Sequence, residues 1–340
     1  MFENPAKAYE RSNSLRESPL KKDEDDLLNF LDKKGISNYF KNIDKFEEIY
    51  GNNKASEKLF RRMSESDRYN YNSFEIGDII KEDKERIKKQ QTRASEMEHT
   101  ERARLLENIL FNPHIKNSAI ESAWFGDDAM ATPTTEFDDR FNGVDAVVQW
   151  GVGNDSPKLA VDCTVSGRED VLEKKKDKLL EGIKDSNLGE VKYFQCSEDL
   201  EDPAEAEDFG PLIRVPQVVL SVNKDILEEL SQEIMRGGDF SQHHLQFNLL
   251  EESRQQLMQQ LSIIEEYADN PTELKKLNWS QEEKENFLNN SSEMKNNINN
   301  TIEKLDKVIK EKESSLPKRK QRAGRKKEDN IVPISFDTVD

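Results

Sequence analysis

Cysteine is nearly absent from this chain: Cys163 and Cys196 are its only two. Two thiols make no disulfide framework, so packing must hold the fold and a reducing, cytoplasmic compartment is expected. Apolar residues are also scarce. They make up 34% of the chain against 35% charged, where an ordinary globular domain runs near ~45–50% and ~25%. A chain of 340 residues with that composition does not read as one continuous packed globule. One domain of ~100–200 residues with solvated helices and tails is expected. No run approaches the ~18 consecutive apolar residues of a membrane span. Residues 1–22 are polar and hold no apolar stretch, so no secretory leader and no membrane partner are expected. Positive charge is in deficit, with 51 Lys+Arg against 69 Asp+Glu and a net charge of −18. So acidic a surface repels nucleic acid broadly, and any role with nucleic acid has to be local.

What the chain does contain divides it. Residues 1–23 lack apolar periodicity and read as a disordered arm. Residues 24–100 read as a helical N-terminal region, with Leu27, Leu28, Phe30, Leu31, then Tyr39, Phe40, Phe46 and Ile49 in clusters punctuated by Gly35 and Gly51. The stretch 76–111 is rich in helix formers, and Ala103, Leu106, Ile109 and Leu110 give its end a docking stripe. Asn112-Pro113 ends that helix. Residues 101–236 then read as an α/β core. Strands are expected at 144–150, 158–165, 191–195 and 218–222, with a helix at 169–184. Residues 197–207 are acidic and read as a loop. Residues 240–315 read as a helical hairpin or short coiled coil extending from the core, with Met294, Ile298, Ile302, Leu305 and Ile309 as its seam. Residues 316–340 form a tail with the one dense basic run: Lys318, Arg319, Lys320, Arg322, Arg325, Lys326 and Lys327. That run suffices for weak, salt-sensitive contact with nucleic acid, or for contact with the acidic body.

Two aspartates stand out. Asp145 lies in Gly143-Val-Asp-Ala-Val-Val-Gln-Trp150 and Asp162 in Lys158-Leu-Ala-Val-Asp-Cys-Thr-Val165. Alternation along a strand puts Val144, Ala146, Val148 and Trp150 on one face and Asp145 on the other. Leu159, Val161, Cys163 and Val165 share an apolar face, while Asp162 and Thr164 point away. The linker 151–157 is rich in turn residues. A hairpin centred between Gly153 and Asn154 sets 145 opposite 162, with Cβ atoms roughly 4.5–5.5 Å apart. Carboxylates that close repel unless a cation lies between them, and a hard divalent ion takes carboxylate oxygens. The competing reading is two exposed acids on a hairpin's wet face.

In this region, over about 101–223, the chain resembles the PD-(D/E)xK nuclease superfamily, the restriction-endonuclease-like fold. That family's core runs helix, three-stranded meander, helix, strand, and the chain offers this order in a helix at 101–111, a strand region after Thr134, strands at 144–150 and 158–165, a helix at 169–184 and a strand at 191–195. The resemblance implies a mixed β-sheet flanked by helices, here with α-helical extensions at both ends. It matches Asp145 to the acid that starts the second strand. Asp162-Cys163-Thr164 falls on the (D/E)xK motif of the third. It implies Mg²⁺, or Mn²⁺, held by Asp145, Asp162, the Cys163 carbonyl and a helical glutamate, for which Glu107 is the choice and Glu101 the reserve. The motif's lysine is replaced by Thr164. In some members the following helix supplies it, and this chain offers Lys174, Lys175, Lys176 and Lys178 there, with Lys176 or Lys178 expected over the site. Asp138 and Asp139 precede the strand and read as loop caps or as shaping the site.

The resemblance implies a metal-dependent nuclease that hydrolyses phosphodiester bonds of nucleic acid. The alternatives are a catalytically silent protein of that fold acting in binding or assembly, and a helical interaction protein, self-associating or partnered through its C-terminal helices, with the α/β core as scaffold. Cys163 reads as a small core residue. His243-His244 reads as a surface pair at a helix start.

Overall fold

The computed structural model describes residues 26, 27, 29, 76–91, 97–112, 115, 118–153, 155–165, 169–195, 210–238 and 240–315. The N-terminal arm, most of 24–75, the acidic loop and the basic tail fall outside the described residues. The core is an α/β structure: a mixed four-stranded sheet between helices. In chain order the elements are α1 (Ile76–Gln91), α2 (Met97–Phe111), β1 (Ala129–Pro133), a π-helical turn (Asp138–Asn142), β2 (Ala146–Trp150), β3 (Lys158–Val165), α3 (Glu169–Lys184), β4 (Gln217–Val222), α4 (Lys224–Met235), a 3₁₀ turn (Phe240–Gln242), α5 (Leu245–Asp269), α6 (Pro271–Lys276) and α7 (Gln281–Ser315).

The strands lie in the order β1-β2-β3-β4. The first three form an antiparallel meander, and β4 runs parallel to β3 after the α3 crossover. Parallel neighbours need such a crossover, and 169–184 supplies it. The β2–β3 ladder pairs Ala146 with Val161 and Gln149 with Lys158, the register that a turn between Gly153 and Asn154 sets. Every residue of β2, β3 and β4 is buried, so these strands read as continuous β-branched runs.

Two expected strands differ. Segment 191–195 forms only isolated bridges, one of them from Val191 to Leu212. Backbone donors there go instead to a side chain: Asp138 accepts from Lys192 N–H at 2.7 Å and from Tyr193 N–H at 3.2 Å. The fourth strand of the sheet is therefore β4. The first strand lies before Thr134, not after it, because the chain turns helical from Glu136 and continues into the π-helical turn.

The sheet's apolar side carries Ala146, Val148, Trp150, Leu159, Val161, Cys163, Val165, Val218, Leu220 and Val222. It joins Leu105, Leu106, Ile109 and Leu110 of α2 in one apolar core. That same core takes in Leu249, Leu257 and Ile264 of α5 and Met294, Ile298 and Leu305 of α7. The hairpin read as an extension is thus packed into the domain, with Arg254 paired to Asp306 and Lys295 to Asp269, as two antiparallel helices require. Its sparse apolar points suffice because one stripe per helix faces the core. At the edge of β4, Gln256 of α5 accepts from Val219 N–H at 2.9 Å and donates to its carbonyl at 2.8 Å; Gln260 donates to the Gln217 carbonyl. These amides replace a missing fifth strand.

Candidate metal centre

The centre lies just before β2 begins, where β3 runs on past the ladder. Asp145 N–H donates to the Val161 carbonyl at 2.8 Å, one residue out of step with the ladder that ends at Ala146 and Val161. The slip reverses the alternation at this point. Val144 therefore packs with Val147 and Ala160 on the second face of the sheet, not with Ala146, Val148 and Trp150 as simple alternation places it. Asp145 is left at the strand's edge, and its Oδ2 accepts the Cys163 N–H at 2.5 Å. A strand residue directs its N–H and C=O to the same edge, so the Cys163 carbonyl faces this edge too.

The π-helical turn sets the approach to Asp145. Asp138 is fully buried and accepts from Thr135 Oγ1, Asn142 Nδ2 and two backbone amides of 192–193. Burial pushes its carboxyl up to about 6 against those four donors. Asp138 is a cap, as a loop aspartate before a strand suggests. Gly143 closes the turn at φ 66, a left-handed conformation that a side chain strains. A Cβ there would also lie 2.6 Å from the Lys178 Nζ.

Four carboxylates lie within electrostatic reach of one another at this edge. Glu107 comes from α2, Asp139 from the π turn, Asp145 from the start of β2 and Asp162 from β3. Glu107, Asp145 and Asp162 are 4%, 3% and 6% exposed, so the wet hairpin face does not exist. Asp139 and Asp145 share a hydrogen bond between their carboxyl groups, which needs a proton between them. Burial raises Glu107 well above the ordinary carboxylate range, and Asp139 and Asp162 raise it further. Burial likewise raises Asp145, helped by Glu107, Asp162 and Asp139. Asp139 is pushed up to about 6, again chiefly by burial. Glu107 Oε2 is buried with no hydrogen-bond partner.

Three cations act on these acids: Arg104 lowers Glu107, Arg140 lowers Asp139, and Lys175 acts on both and is bonded to Asp162. Lys175 of α3 donates to Asp162 Oδ1 at 2.5 Å. Burial acts to lower its pKa, but Asp162 and then Asp145 raise it overall. Of the two lysines expected over the site, Lys178 is engaged on the π turn. Lys178 donates to the Phe141 carbonyl at 3.2 Å, above Gly143. Lys176 stands one residue beyond Lys175, a rotation of about 100° around the helix. Leu172 and Leu179 pack on Val219, and that anchoring turns Lys175 toward the aspartate. Thr164 is 8% exposed beside Ser221 of β4. Glu101 lies on α2, its side chain outside the described residues.

The Cys163 thiol packs in the apolar core and is raised by burial and by the nearby acids, which leaves it inert as a nucleophile. The sequence offers Asp139 as a loop cap or as shaping the site, and Lys175 without preference over its neighbours. The first carried a signal in its position before β2. The second was one of four adjacent lysine choices. His243, read as a surface residue, is buried.

The donor set is hard oxygen, crowded and short of positive charge. Such a set fits Mg²⁺ or Mn²⁺ better than it fits a thiophilic ion. No helix among the described residues is long and apolar enough to cross a membrane. No protein-family model, curated protein or solved structure matches the chain.

Proposed function

We propose that this chain is a nuclease-like protein of restriction-endonuclease-like fold that hydrolyses phosphodiester bonds of nucleic acid with a divalent metal. The observation that carries the reading is the convergence of Glu107, Asp139, Asp145 and Asp162 beside a single lysine, with Glu107 Oε2 unpartnered. Four acids gathered from four elements cost stability unless they serve a cation. Further support comes from the order α2, antiparallel meander, α3 and a strand parallel to β3.

Glu107, Asp145 and Asp162 would hold the ion, with the Cys163 carbonyl as a further donor, and Asp139 completing the negative wall. An ion so held supplies a Lewis acid for the scissile phosphate and lowers the pKa of its water. The chain's own residues do the rest. Asp162 orients the Lys175 ammonium. Lys175, in place of the lysine that Thr164 lacks, neutralises charge developing on the phosphate oxygens. The Cys163 N–H fixes Asp145 against rotation. The net charge of −18 restricts nucleic acid to a local approach, with the basic run from Lys318 to Lys327 available to aid it.

A second reading has its own observation. Glu107, Asp145 and Asp162 are nearly sealed from solvent, and Lys175 already pairs with Asp162. A silent nuclease fold acting in binding or assembly accounts for a centre closed in this way. The experiment incubates the purified chain with single- and double-stranded DNA and RNA in Mg²⁺, Mn²⁺ or chelator. The nuclease reading expects metal-dependent cleavage, reduced about 10²–10³-fold in Asp162→Asn. Binding without cleavage, unchanged by Asp162→Asn, supports the silent reading.

A further inference from the structure

A second group of ligand-type side chains lies on other elements, between α4 and α5. Donor atoms of Glu229, His243 and His244 all fall within 4.8 Å of one another. His243 Nε2 is 3.7 Å from Glu229 Oε1 and 3.4 Å from Glu233 Oε2. A tetrahedral zinc ion with bonds of ~2.0–2.1 Å sets its ligand atoms ~3.4 Å apart. The two carboxylate contacts of His243 Nε2 already approach that spacing.

The sequence explains how they meet. Glu229 and Glu233 are four residues apart on α4, so they stack along one face. The chain leaves α4 at Gly237, where φ is 68, and returns through the 3₁₀ turn to place His243-His244 at the start of α5. The His243 ring cannot swing freely. It is stacked 5.5 Å from Trp124 at 18° and lies 4.6 Å from the His244 ring. Trp124 is itself fixed by donating to the Phe240 carbonyl at 2.7 Å. The glutamate side chains are 42% and 40% exposed, which leaves an entry side.

We propose that Glu229, Glu233, His243 and His244 bind a divalent transition-metal ion of the zinc class and tie the end of α4 to the start of α5. Two imidazoles with two carboxylates select such an ion over Mg²⁺, which takes oxygen. Four protein ligands fill a tetrahedral shell, so the ion is structural and activates no water. His243 Nδ1 accepts the Leu245 N–H at 3.2 Å. Binding through Nε2 moves the ring proton to Nδ1 and ends that hydrogen bond.

The test is a Co²⁺ titration of the full chain, read by visible absorption. A tetrahedral site containing nitrogen absorbs strongly, whereas an octahedral oxygen centre absorbs weakly. The expected result is saturation at one tetrahedral Co²⁺ per chain, displaced by Zn²⁺. Glu229→Gln and His244→Ala, both at partly exposed positions, each weaken it at least about 10-fold, while Asp145→Asn does not. The nitrogen spectrum of the histidines shows the proton moving to His243 Nδ1. No tetrahedral absorption, or the same affinity in both Glu229→Gln and His244→Ala, would overturn the proposal.

Discussion

Asp139 titrates near pH 6 in the fold, about two units above a free aspartate. A raised acid binds protons in the folded state that the unfolded chain has released. Its contribution to stability is therefore full below about pH 4 and lost as pH rises through about 6. Asp139→Asn keeps an acceptor for the Asp145 proton in its amide oxygen and removes the charge. It is expected to stabilise the metal-free protein at pH 7 by on the order of 2 kcal/mol, and to lose that advantage near pH 4. Urea unfolding at the two pH values checks this; equal gains at both would contradict the assignment. Lys175→Met removes the one ammonium bonded to Asp162, so a loss of roughly 3–5 kcal/mol at pH 7 is expected. Mn²⁺ should recover much of that loss. At this scale the sequence was legible in part. Alternation along two strands points out Asp145 and Asp162. It does not separate Lys175 from Lys176, since both fall between Leu172 and Leu179 and either fits a buried stripe. Only the seating of those leucines on Val219 decides.

The elements that matter most are the start of β2 and the edge of β4. Runs of β-branched residues made 158–165 and the strand at 217–222 readable from composition. The slip at Asp145 was not readable, because it depends on Thr134 Oγ1 holding the carbonyls of Val144 and Asp145 from outside the strand, and on Gly143 closing the π turn onto the Asp138 and Asp139 carbonyls. Segment 191–195 shows the same limit: it has strand composition, but Asp138 takes its amides. Gly143→Ala forces a Cβ into a φ of 66 and against Lys178. A loss of about 1–2 kcal/mol is expected, together with weaker metal binding as the turn carrying Asp139 shifts. At β4, Gln256→Leu leaves the Val219 N–H and C=O without their partners. Thermal or urea unfolding should show a loss of about 2–4 kcal/mol. A change under 0.5 kcal/mol would mean that another group covers that edge.

For the whole molecule, the composition suggested a small core with solvated helices, and the finding is a broader one. Helices α5 and α7 are polar along most of their surface yet contribute their stripes to the same apolar core as the sheet. An average over all residues hides this, because a helix needs only one apolar face to dock. The net charge of −18 also conceals its most consequential part, four acids in one buried place. That concentration is the central claim: these acids form a divalent-cation centre. Calorimetric titration of Mn²⁺ at pH 7, made in Glu229→Gln so that the α4–α5 site is weakened, tests it most directly. The account predicts one Mn²⁺ site, weakened at least about 10-fold by Asp162→Asn and by Glu107→Gln. Absent Mn²⁺ binding, or binding unchanged by both substitutions, would contradict it.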